Sequence, residues 1–354
     1  MSSAAAAPPA ELLLGRPEFA GDLEQAAGFV RGRRVLVTGA AGSVGWPLST
    51  LLASADPGRL VLLDQHEYSL FSLERVLGSA AAFELADVRD SAALQRLMRQ
   101  HAPEIVFHLA AAKHVPYGER FPEGAVATNV VATRSLLEQA RVVGTEVFLY
   151  PSSDKSVQPP SVYGATKRLV EALVAYTART AQKRFAVVRF VNIIGTRGSV
   201  IDNFSKWVSE GVPLRVTDER MTRYWMSMNE ALWCLLIGAQ CAQPGEVLMP
   251  ACGEPVPIID TARRLAGWYR PDEQPYPIQC TGIRPGERLH EILLSHTETF
   301  VEGPAVGLRG VRSARSAAVL DRLSTVVDEL EVLAGAGDRT RLAAVCLQAA
   351  QALQ

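Results

Sequence analysis

The chain has 354 residues, of which 48% are hydrophobic and 21% are charged, and its formal net charge is −1. This composition is ordinary for a compact globular protein, and the length suits two closely joined lobes. The near-neutral charge argues against a general nucleic-acid binder, because neutralising phosphates requires a basic face. We therefore expect no nucleic-acid partner.

The sequence also argues against a membrane span and a metal site. No stretch approaches the roughly 18 unbroken apolar residues that a spanning helix requires. The five cysteines contain no CxxC pair, which is typical of reduced thiols, and the six histidines have no close metal-ligand spacing. The sequence therefore predicts a soluble, cytoplasmic protein without a metal ion.

Residues 1–30 are predicted to form an N-terminal extension that is partly disordered, because MSSAAAAPPA is rich in alanine and proline. From Arg33 onward, apolar strands alternate with glycine-bearing turns and helices. The predicted strands are Val35–Val37, Leu60–Leu63, Ala82–Leu85, Ile105–His108, Val147–Tyr150 and Phe185–Phe190. The predicted helices between them are Trp46–Ala53, Ser69–Leu77, Ser91–Gln100, Ala125–Val142 and Tyr163–Ala181. Alternating strands and helices imply right-handed crossovers and a parallel sheet that is covered on both faces.

The fold class predicted for residues 31–190 is therefore α/β, with a Rossmann-like, doubly wound parallel sheet. After residue 190 prolines become frequent and helices shorten, which indicates a smaller C-terminal lobe, 191–316, over the strand ends. Residues 317–354 are predicted as two C-terminal helices, near Ala317–Leu333 and Arg339–Leu353. Ligands of such sheets bind outside the carboxyl ends of the strands.

The segment VLVTGAAGSVG places glycines at 39, 42 and 45 between a strand and a helix. This spacing permits a sharp turn, a close approach to a pyrophosphate and tight helix packing, with the helix N-terminus facing the phosphates. The next strand ends at Asp64, whose carboxylate can accept the ribose hydroxyls of NAD and would repel the 2′-phosphate of NADP. Asp87 and Val88 follow the third strand, where an adenine edge would lie. The pattern predicts NAD, although the glycines could form an ordinary turn and the aspartates could cap turns.

A second pattern, Tyr163 and Lys167, is separated by one helical turn and follows Ser153 at a strand end. A nearby ammonium favours the phenolate, so we expect a lowered pKa for Tyr163, which would act as the base for a sugar hydroxyl. Asp154 and Lys155 lie beside it as a candidate acid and base for an elimination. A surface ion pair in a turn is the alternative.

The chain resembles the UDP-N-acetylglucosamine 4,6-dehydratase and polysaccharide-biosynthesis family of extended short-chain dehydrogenases, from about Leu12 to Leu294. The resemblance rests on the motifs TGAAGSVG, LLDQHEYSL, FHLAAAKHVPYGERFP, SSDKSVQPPSVYGATKR, NIIGTRGSV, MTRYWM, GEPV and TGIRPGERLHE. The LLGRP stretch and LLDQHEYSL are closest to members whose catalytic domain follows a membrane portion, and the chain resembles that domain standing alone.

The resemblance implies an NAD-dependent 4,6-dehydratase of a UDP-sugar, with Asp154 as acid, Lys155 as C5 base, and Ser153, Tyr163 and Lys167 at the 4-hydroxyl. The cofactor-binding residues it implies are Gly39, Gly42, Ser43, Val44, Gly45, Asp64, Asp87, Val88, Ala110, Ala111, Lys113, Asn129, Tyr163 and Lys167. The substrate-binding residues it implies are Lys113, His114, Asn192, Ser199, Val200, Arg223, Arg284 and Glu287.

Three positions depart from the family pattern. Tyr163 replaces the methionine of the membrane-linked members and matches the short members that invert C5. Val191 replaces a glycine before Asn192, and Asp202 replaces a proline near the expected base-binding loop. The sugar, the nucleotide and the stereochemistry at C5 therefore stay open.

Two other functions remain compatible with these motifs. A nucleotide-sugar 4-epimerase, or a dehydratase of an unusual natural-product nucleotide, would use the same tyrosine and lysine. A catalytically silent dinucleotide-binding protein is the third, and it would need none of the four reactive side chains. A homo-oligomer, dimer or hexamer, is expected, in which the helices Ala125–Val142 and Tyr163–Ala181 pair across a two-fold axis. The same surfaces could instead be buried within the monomer.

Overall fold

The centre of the fold is a large mixed sheet. The computed structural model describes residues 7–313 and 322–354. The strands are β1 Arg34–Thr38, β2 Arg59–Asp64, β3 Ala82–Leu85, β4 Ile105–His108, β5 Val147–Ser153, β6 Arg184–Phe190, β7 Asn192–Ile193, β8 Leu214–Val216, β9 Thr222–Arg223, β10 Trp225–Met226, β11 Val247–Pro250, β12 Val256–Pro257, β13 Ile278–Cys280, β14 Glu298–Glu302 and β15 Leu308–Ser313.

The helices flank this sheet and build the smaller lobe. They are α1 Ala10–Leu14, α2 Leu23–Ala27, α3 Gly45–Ser54, α4 Glu67–Leu77, α5 Ser91–His101, α6 Val115–Arg120, α7 Pro122–Val126, α8 Ala132–Val143, α9 Val162–Ala181, α10 Val200–Ser209, α11 Met228–Cys241, α12 Ile258–Tyr269, α13 Leu323–Ala336 and α14 Arg339–Gln351. A π-helical turn, Ala127–Val131, joins α7 to α8.

Among the described residues the main sheet has the strand order β14-β15-β11-β6-β5-β4-β1-β2-β3. The seven strands from β11 to β3 pair in parallel, and β15 and β14 add an antiparallel edge. The Rossmann-like, doubly wound parallel sheet predicted from the sequence is confirmed. The segments predicted as strands and helices up to residue 190 occur where they were expected, with ends that differ by at most three residues. The predicted helix Ala125–Val142 is divided among α7, the π-helical turn and α8.

The central strand β5 and the helix α9 that follows it position the chemistry. All seven residues of β5 are buried, as expected for a strand that is covered on both faces. The Ser161 side chain accepts a hydrogen bond from the Gly164 backbone N–H, which caps the start of α9. The cap fixes where α9 begins and therefore where Tyr163 and Lys167 lie relative to the end of β5.

The segment predicted as a separate lobe, 191–316, contributes to two cores. Its strands β11, β14 and β15 extend the main sheet. Its helices α10 and α12 and its short strands pack around a second cluster that includes Phe204, Leu214 and Leu265. Two residues of α1, Leu13 and Leu14, complete this second cluster. The domain boundaries given from the sequence stay a prediction.

The termini are more ordered where they are described than composition suggested. The predicted extension 1–30 contains α1 and α2 from residue 10, while residues 1–6 lie outside the described residues. The helix predicted from Ala317 begins at Leu323, and residues 317–321 also lie outside the described residues. Within the ranges described, no helix is both long and apolar enough to cross a membrane.

The C-terminal helices cover part of the surface proposed for pairing between subunits. Helix α14 packs against α9, and α13 packs against α7 and the π-helical turn. Arg168 on α9 donates a hydrogen bond to the Leu353 carbonyl (2.7 Å), and Arg339 on α14 pairs with Glu123 on α7. For the surfaces that α13 and α14 cover, the structure matches the second alternative, burial within the monomer.

Four fully buried charged side chains connect α9, β6 and β14. Arg189 donates to both Glu171 and Glu298, at 2.7 to 2.9 Å, and Arg168 lies 2.7 Å from Glu298 and 3.3 Å from Glu171. Burial alone would raise the pKa of Glu298, but Arg189 and Arg168 outweigh it and lower that pKa to about 2. Because each charge has partners of opposite sign, the cluster is stable only as a complete set.

The change Arg189→Met should lower the free energy of unfolding by about 3 to 5 kcal/mol, since it leaves two buried carboxylates with too little positive charge. Urea unfolding monitored by tryptophan fluorescence measures this loss. The control Arg341→Met removes an exposed arginine 3.4 Å from Glu329 and should cost about 1 kcal/mol or less. Equal losses in the two variants would contradict the prediction.

Candidate active site

The glycine loop between β1 and α3 forms one end of a cavity of about 670 Å³. Gly39 has a φ of +68°, and a Cβ there would lie 2.7 Å from the Ala110 backbone nitrogen. A Cβ at Gly45 would collide with the Gly39 carbonyl oxygen, so helix α3 can begin only if this residue is glycine. Gly42, Ser43 and Val44 also line the cavity. The loop therefore has the shape that the sequence predicted.

The two aspartates assigned to the adenosine are held by local contacts. The Asp64 carboxylate accepts hydrogen bonds from the backbone N–H groups of Ala41 (3.0 Å) and His66 (2.9 Å) at the end of β2. Asp87 forms an ion pair with Arg89, whose hydrogen bonds lower the pKa of the Asp87 carboxyl. Both contacts are also those expected of turn caps, and the Val88 side chain is buried.

The loop after β4 forms a side wall. Ala111 and Lys113 line the 670 Å³ cavity, whereas Ala110 and Asn129 lie behind that lining. Asn129 is fully buried, and its amide pairs with both backbone groups of Ala112, at 2.8 and 3.0 Å. These hydrogen bonds hold Asn129 against the backbone of the wall.

Arg197, which the sequence analysis did not single out, lies against the glycine loop and is held by three hydrogen bonds. The Arg197 side chain donates to the Ala41 carbonyl (2.6 Å), and its backbone N–H donates to the Ser43 hydroxyl (3.1 Å). Lys113 donates to the Arg197 carbonyl (2.9 Å). Arg197 belongs to the motif NIIGTRGSV, so the signal was present in the sequence.

The end of β5 places Ser153, Asp154 and Lys155 in mutual contact. The Ser153 hydroxyl donates to Asp154 Oδ1 (2.7 Å), and Lys155 Nζ lies 3.0 Å from the same oxygen. Asp154 is fully buried, and its Oδ2 has no hydrogen-bond partner among the described residues. Lys155 lines the 670 Å³ cavity and a neighbouring cavity of about 800 Å³. The surface ion pair considered as an alternative is therefore excluded.

Tyr163 and Lys167 face the first cavity, but their electrostatics differ from the prediction. Burial raises the pKa of Tyr163 above its ordinary value, and the ammonium that opposes this effect most is that of Lys155. Lys167 instead donates to the Pro151 carbonyl (2.9 Å) and lies 4.4 Å from the centre of the Tyr150 ring. Burial lowers the pKa of Lys167 to about 7. The expected lowering of the phenol pKa by Lys167 is wrong for the protein alone.

Lys155 is also held by a carboxylate that the sequence analysis missed. Glu291 Oε1 lies 3.3 Å from Lys155 Nζ and 3.5 Å from Arg223 Nε. Burial alone would lower the pKa of Lys155, but Asp154 and Glu291 outweigh it and raise that pKa well above its ordinary value. The two carboxylates therefore favour the ammonium form of Lys155.

Most of the predicted substrate-binding residues line the 800 Å³ cavity. Its lining includes His114, Asn192, Ser199, Val200, Arg223, Arg284 and Glu287. Lys113 lines the 670 Å³ cavity instead. Arg284 Nε donates to Glu287 (3.1 Å), so the two side chains form an ion pair at this cavity. Asp202 accepts a hydrogen bond from Gly198 (2.8 Å) and fixes the turn before α10.

The two cavities meet beside Lys155. Residues shared by both linings are His114, Lys155, Asn192, Ile193, Thr196, Gly198 and Ser199. One cavity therefore leads from the glycine loop to Tyr163, and the other leads from Lys155 to the arginines. This arrangement can hold two ligands end to end, with their reacting parts between Tyr163 and Lys155.

The doubly wound sheet, the glycine loop and the Ser153-Tyr163-Lys167 set define the extended short-chain dehydrogenase class. The chain belongs to the polysaccharide biosynthesis protein family, whose pattern it matches over residues 35–305. The resemblance stated from the sequence is thus confirmed.

Individual relatives show the same relationship. The chain is 38% identical over 299 residues to the "Probable polysaccharide biosynthesis protein EpsC" of Bacillus subtilis (strain 168), covering 83% of this chain and 50% of that protein. It is 33% identical over 275 residues to the "UDP-N-acetylglucosamine 4,6-dehydratase (inverting)" of Campylobacter jejuni (serotype O:2), covering 76% of this chain and 79% of that protein. The chain thus spans about half the length of the first of these relatives and most of the second.

A solved structure with a similar fold is that of Pen from Bacillus thuringiensis. The two have a TM-score of 0.75 and 26% sequence identity, and the match covers 81% of this chain and 90% of that one.

The change Lys167→Met should make the protein more stable than the wild type below pH 7, and the difference should shrink as the pH rises toward 10. Between the folded pKa of about 7 and the ordinary value of 10.5, only the unfolded chain keeps the proton, so wild-type stability rises with pH across this window. Urea unfolding at pH 6.5 and pH 9.5 measures the effect. The exposed Lys206→Met is the control, and a pH-independent difference for Lys167→Met would contradict the assignment.

Proposed function

We propose that the protein is an NAD-dependent 4,6-dehydratase of a UDP-linked N-acetylhexosamine or a close relative. The observation that carries the proposal is the ion pair between the fully buried Asp154 and Lys155, because Lys155 lies where the two cavities meet and Tyr163 lines one of them. An oxidation alone would not need this pair, whereas an elimination needs an acid and a base close together.

The first cavity fits a nicotinamide dinucleotide. Its glycine end leaves backbone N–H groups and the N-terminus of α3 for a diphosphate, and its other end reaches Tyr163 and Lys167. Asp64 at the end of β2 favours NAD over NADP, because its carboxylate would repel a 2′-phosphate. When bound, the cofactor would accept hydride from the sugar C4 and return it to C6.

The chain's own residues would move the protons. Tyr163 would take the proton of the 4-hydroxyl, aided by the Ser153 hydroxyl and the Lys155 ammonium, which both lower its pKa against burial. Oxidation at C4 acidifies the proton on C5. Lys155, as the amine, would accept that C5 proton, and Asp154, as the carboxylic acid, would give a proton to the leaving 6-oxygen.

A single proton shift prepares the pair for this step. In the ion pair Lys155 carries the proton, so it cannot act as a base. Transfer of that proton across the 3.0 Å contact produces a neutral amine and a neutral acid together. Closing the site over a ligand favours the neutral pair, because removing water penalises charge.

The second cavity fits the nucleotide diphosphate of the substrate. Arg284 lines this cavity with an exposed guanidinium, which could bind phosphate oxygens, whereas Arg223 keeps one Nη2 hydrogen for a phosphate beside its contacts to three backbone carbonyls and Glu291. Glu287, which pairs with Arg284 in this structure, would accept a hydrogen bond from a ribose hydroxyl. The homo-oligomer expected from the sequence remains part of this proposal.

Incubation of the protein with UDP-N-acetylglucosamine should give a product that is lighter by one water, detected by mass spectrometry. The same assay with a panel of nucleotide-sugars identifies the sugar and the nucleotide. Mass spectrometry of the heat-released small molecules should detect NAD rather than NADP. Unchanged substrates across the panel at high enzyme concentration would refute the dehydratase.

A nucleotide-sugar 4-epimerase is the second candidate, because Tyr163, Lys167 and Ser153 line the cofactor cavity whereas Asp154 lies behind it. The change Asp154→Asn separates the two reactions. Loss of the acid should lower dehydration by about 100-fold or more, whereas epimerisation needs no acid at this position. The product ratio, measured by mass spectrometry and by NMR of the sugar, decides between them.

A further inference from the structure

The catalytic lysine is held by two carboxylates, and only one of them is its neighbour in sequence. Asp154 Oδ1 lies 3.0 Å from Lys155 Nζ. Glu291 Oε1, which is far from Lys155 in sequence, lies 3.3 Å from the same nitrogen. The Glu291 side chain is 4% exposed, and it lines the substrate cavity. A buried carboxylate requires a positive charge close by, and Lys155 and Arg223 are the two cations that lie within 3.5 Å of Glu291.

Arg223 is fixed by backbone groups that leave one side of its guanidinium for Glu291. It donates to the carbonyls of Thr222 (2.7 Å), Arg288 (3.0 Å) and Leu289 (3.3 Å). Its Nε lies 3.5 Å from Glu291 Oε1, the same oxygen that meets Lys155. Glu291 Oε1 therefore links Arg223, whose guanidinium is fixed by backbone carbonyls, to Lys155, whose side chain is flexible.

We propose that Glu291 is a positioning residue of the active centre, which holds the Lys155 ammonium between the two cavities and links it to Arg223. The proposal rests on the proposed function for its meaning in catalysis. It goes beyond that function, because it assigns a role to a residue outside the serine, tyrosine, lysine and aspartate set.

Alternative holders of Lys155 are weaker in this geometry. The Asn192 amide oxygen lies 3.4 Å away and carries no charge. The charged or titratable groups that act on the lysine are Asp154, Glu291, Arg223 and Tyr163, and Arg288 lies within the field of Glu291 and Asp154. Of these, Asp154 would change its own charge during the proposed elimination. Glu291 takes no part in that proton transfer, so it can hold the Lys155 side chain in place, first as the ammonium and then as the amine.

The first experiment measures Lys155 directly and needs no substrate. The full chain is labelled with acetic anhydride across a range of pH, and the acetylation of Lys155 is quantified by peptide mass spectrometry. In Glu291→Gln the midpoint of labelling should move to a pH lower by about 1 to 3, because one of two nearby anions is gone. In Glu291→Asp, which keeps the charge, the midpoint should lie closer to that of the wild type.

The second experiment measures turnover of the nucleotide-sugar that the panel identifies. Glu291→Gln should lower kcat by about 10- to 100-fold, because a displaced lysine reacts slowly, while KM changes by about threefold or less. The alkaline-rising limb of the pH profile should move in the same direction as the labelling midpoint. Glu138→Gln, an exposed carboxylate on α8, is the matched control and should leave both readouts unchanged.

The outcomes separate the two proposals. An unchanged labelling midpoint in folded Glu291→Gln overturns the positioning role even if the wild type is a dehydratase. A shifted midpoint in a protein that dehydrates no nucleotide-sugar supports the contact and refutes the proposed function. If Glu291→Gln does not fold, Glu291→Asp decides: lower kcat with a nearly unchanged midpoint supports positioning, and wild-type kcat overturns it.

Discussion

The active centre depends on one buried carboxylate, that of Glu171. Its Oε1 accepts hydrogen bonds from the hydroxyls of Ser152 (2.7 Å) and Ser156 (2.6 Å), which bracket the segment that carries Asp154 and Lys155. Glu171 lies on α9, the helix that also carries Tyr163 and Lys167. A single side chain therefore fixes the end of β5 against the helix that follows it.

This arrangement requires an unusual amount of buried charge. Glu171 is neutralised by Arg189 and Arg168, and Glu298 on the antiparallel edge of the sheet completes the set. Such clusters contribute little net stability, but an incomplete cluster is costly. The edge strand β14 and the C-terminal residue Leu353 are therefore connected to the active centre through this charged cluster, although they are far from it in sequence.

The same principle governs the reactive residues. Lys155 lies between Asp154 and Glu291, and both carboxylates favour its protonated form. Lys167 forms no ion pair with a carboxylate of the described residues, and burial, opposed by the more distant Glu171, lowers its pKa to about 7. Two lysines twelve positions apart therefore have opposite tendencies, and the difference comes from the groups that surround each of them.

The sequence by itself determined the fold and most of the reactive set. Alternating apolar strands and helices can bury their faces only as a covered parallel sheet, and the glycines at 39 and 45 are required by backbone geometry at those positions. Chain proximity also placed Asp154 beside Lys155, and helical spacing placed Tyr163 one turn from Lys167.

Only the tertiary structure decided the electrostatics, because these depend on groups that are distant in sequence. Glu291 meets Lys155 across 136 positions, and Arg197 reaches Ala41 across 156. Neither contact follows from a local pattern, and both change what the local motif can do. The direction of the Tyr163 pKa was missed for the same reason, since burial raises this pKa, and the ammonium that opposes burial most is that of Lys155, not that of Lys167.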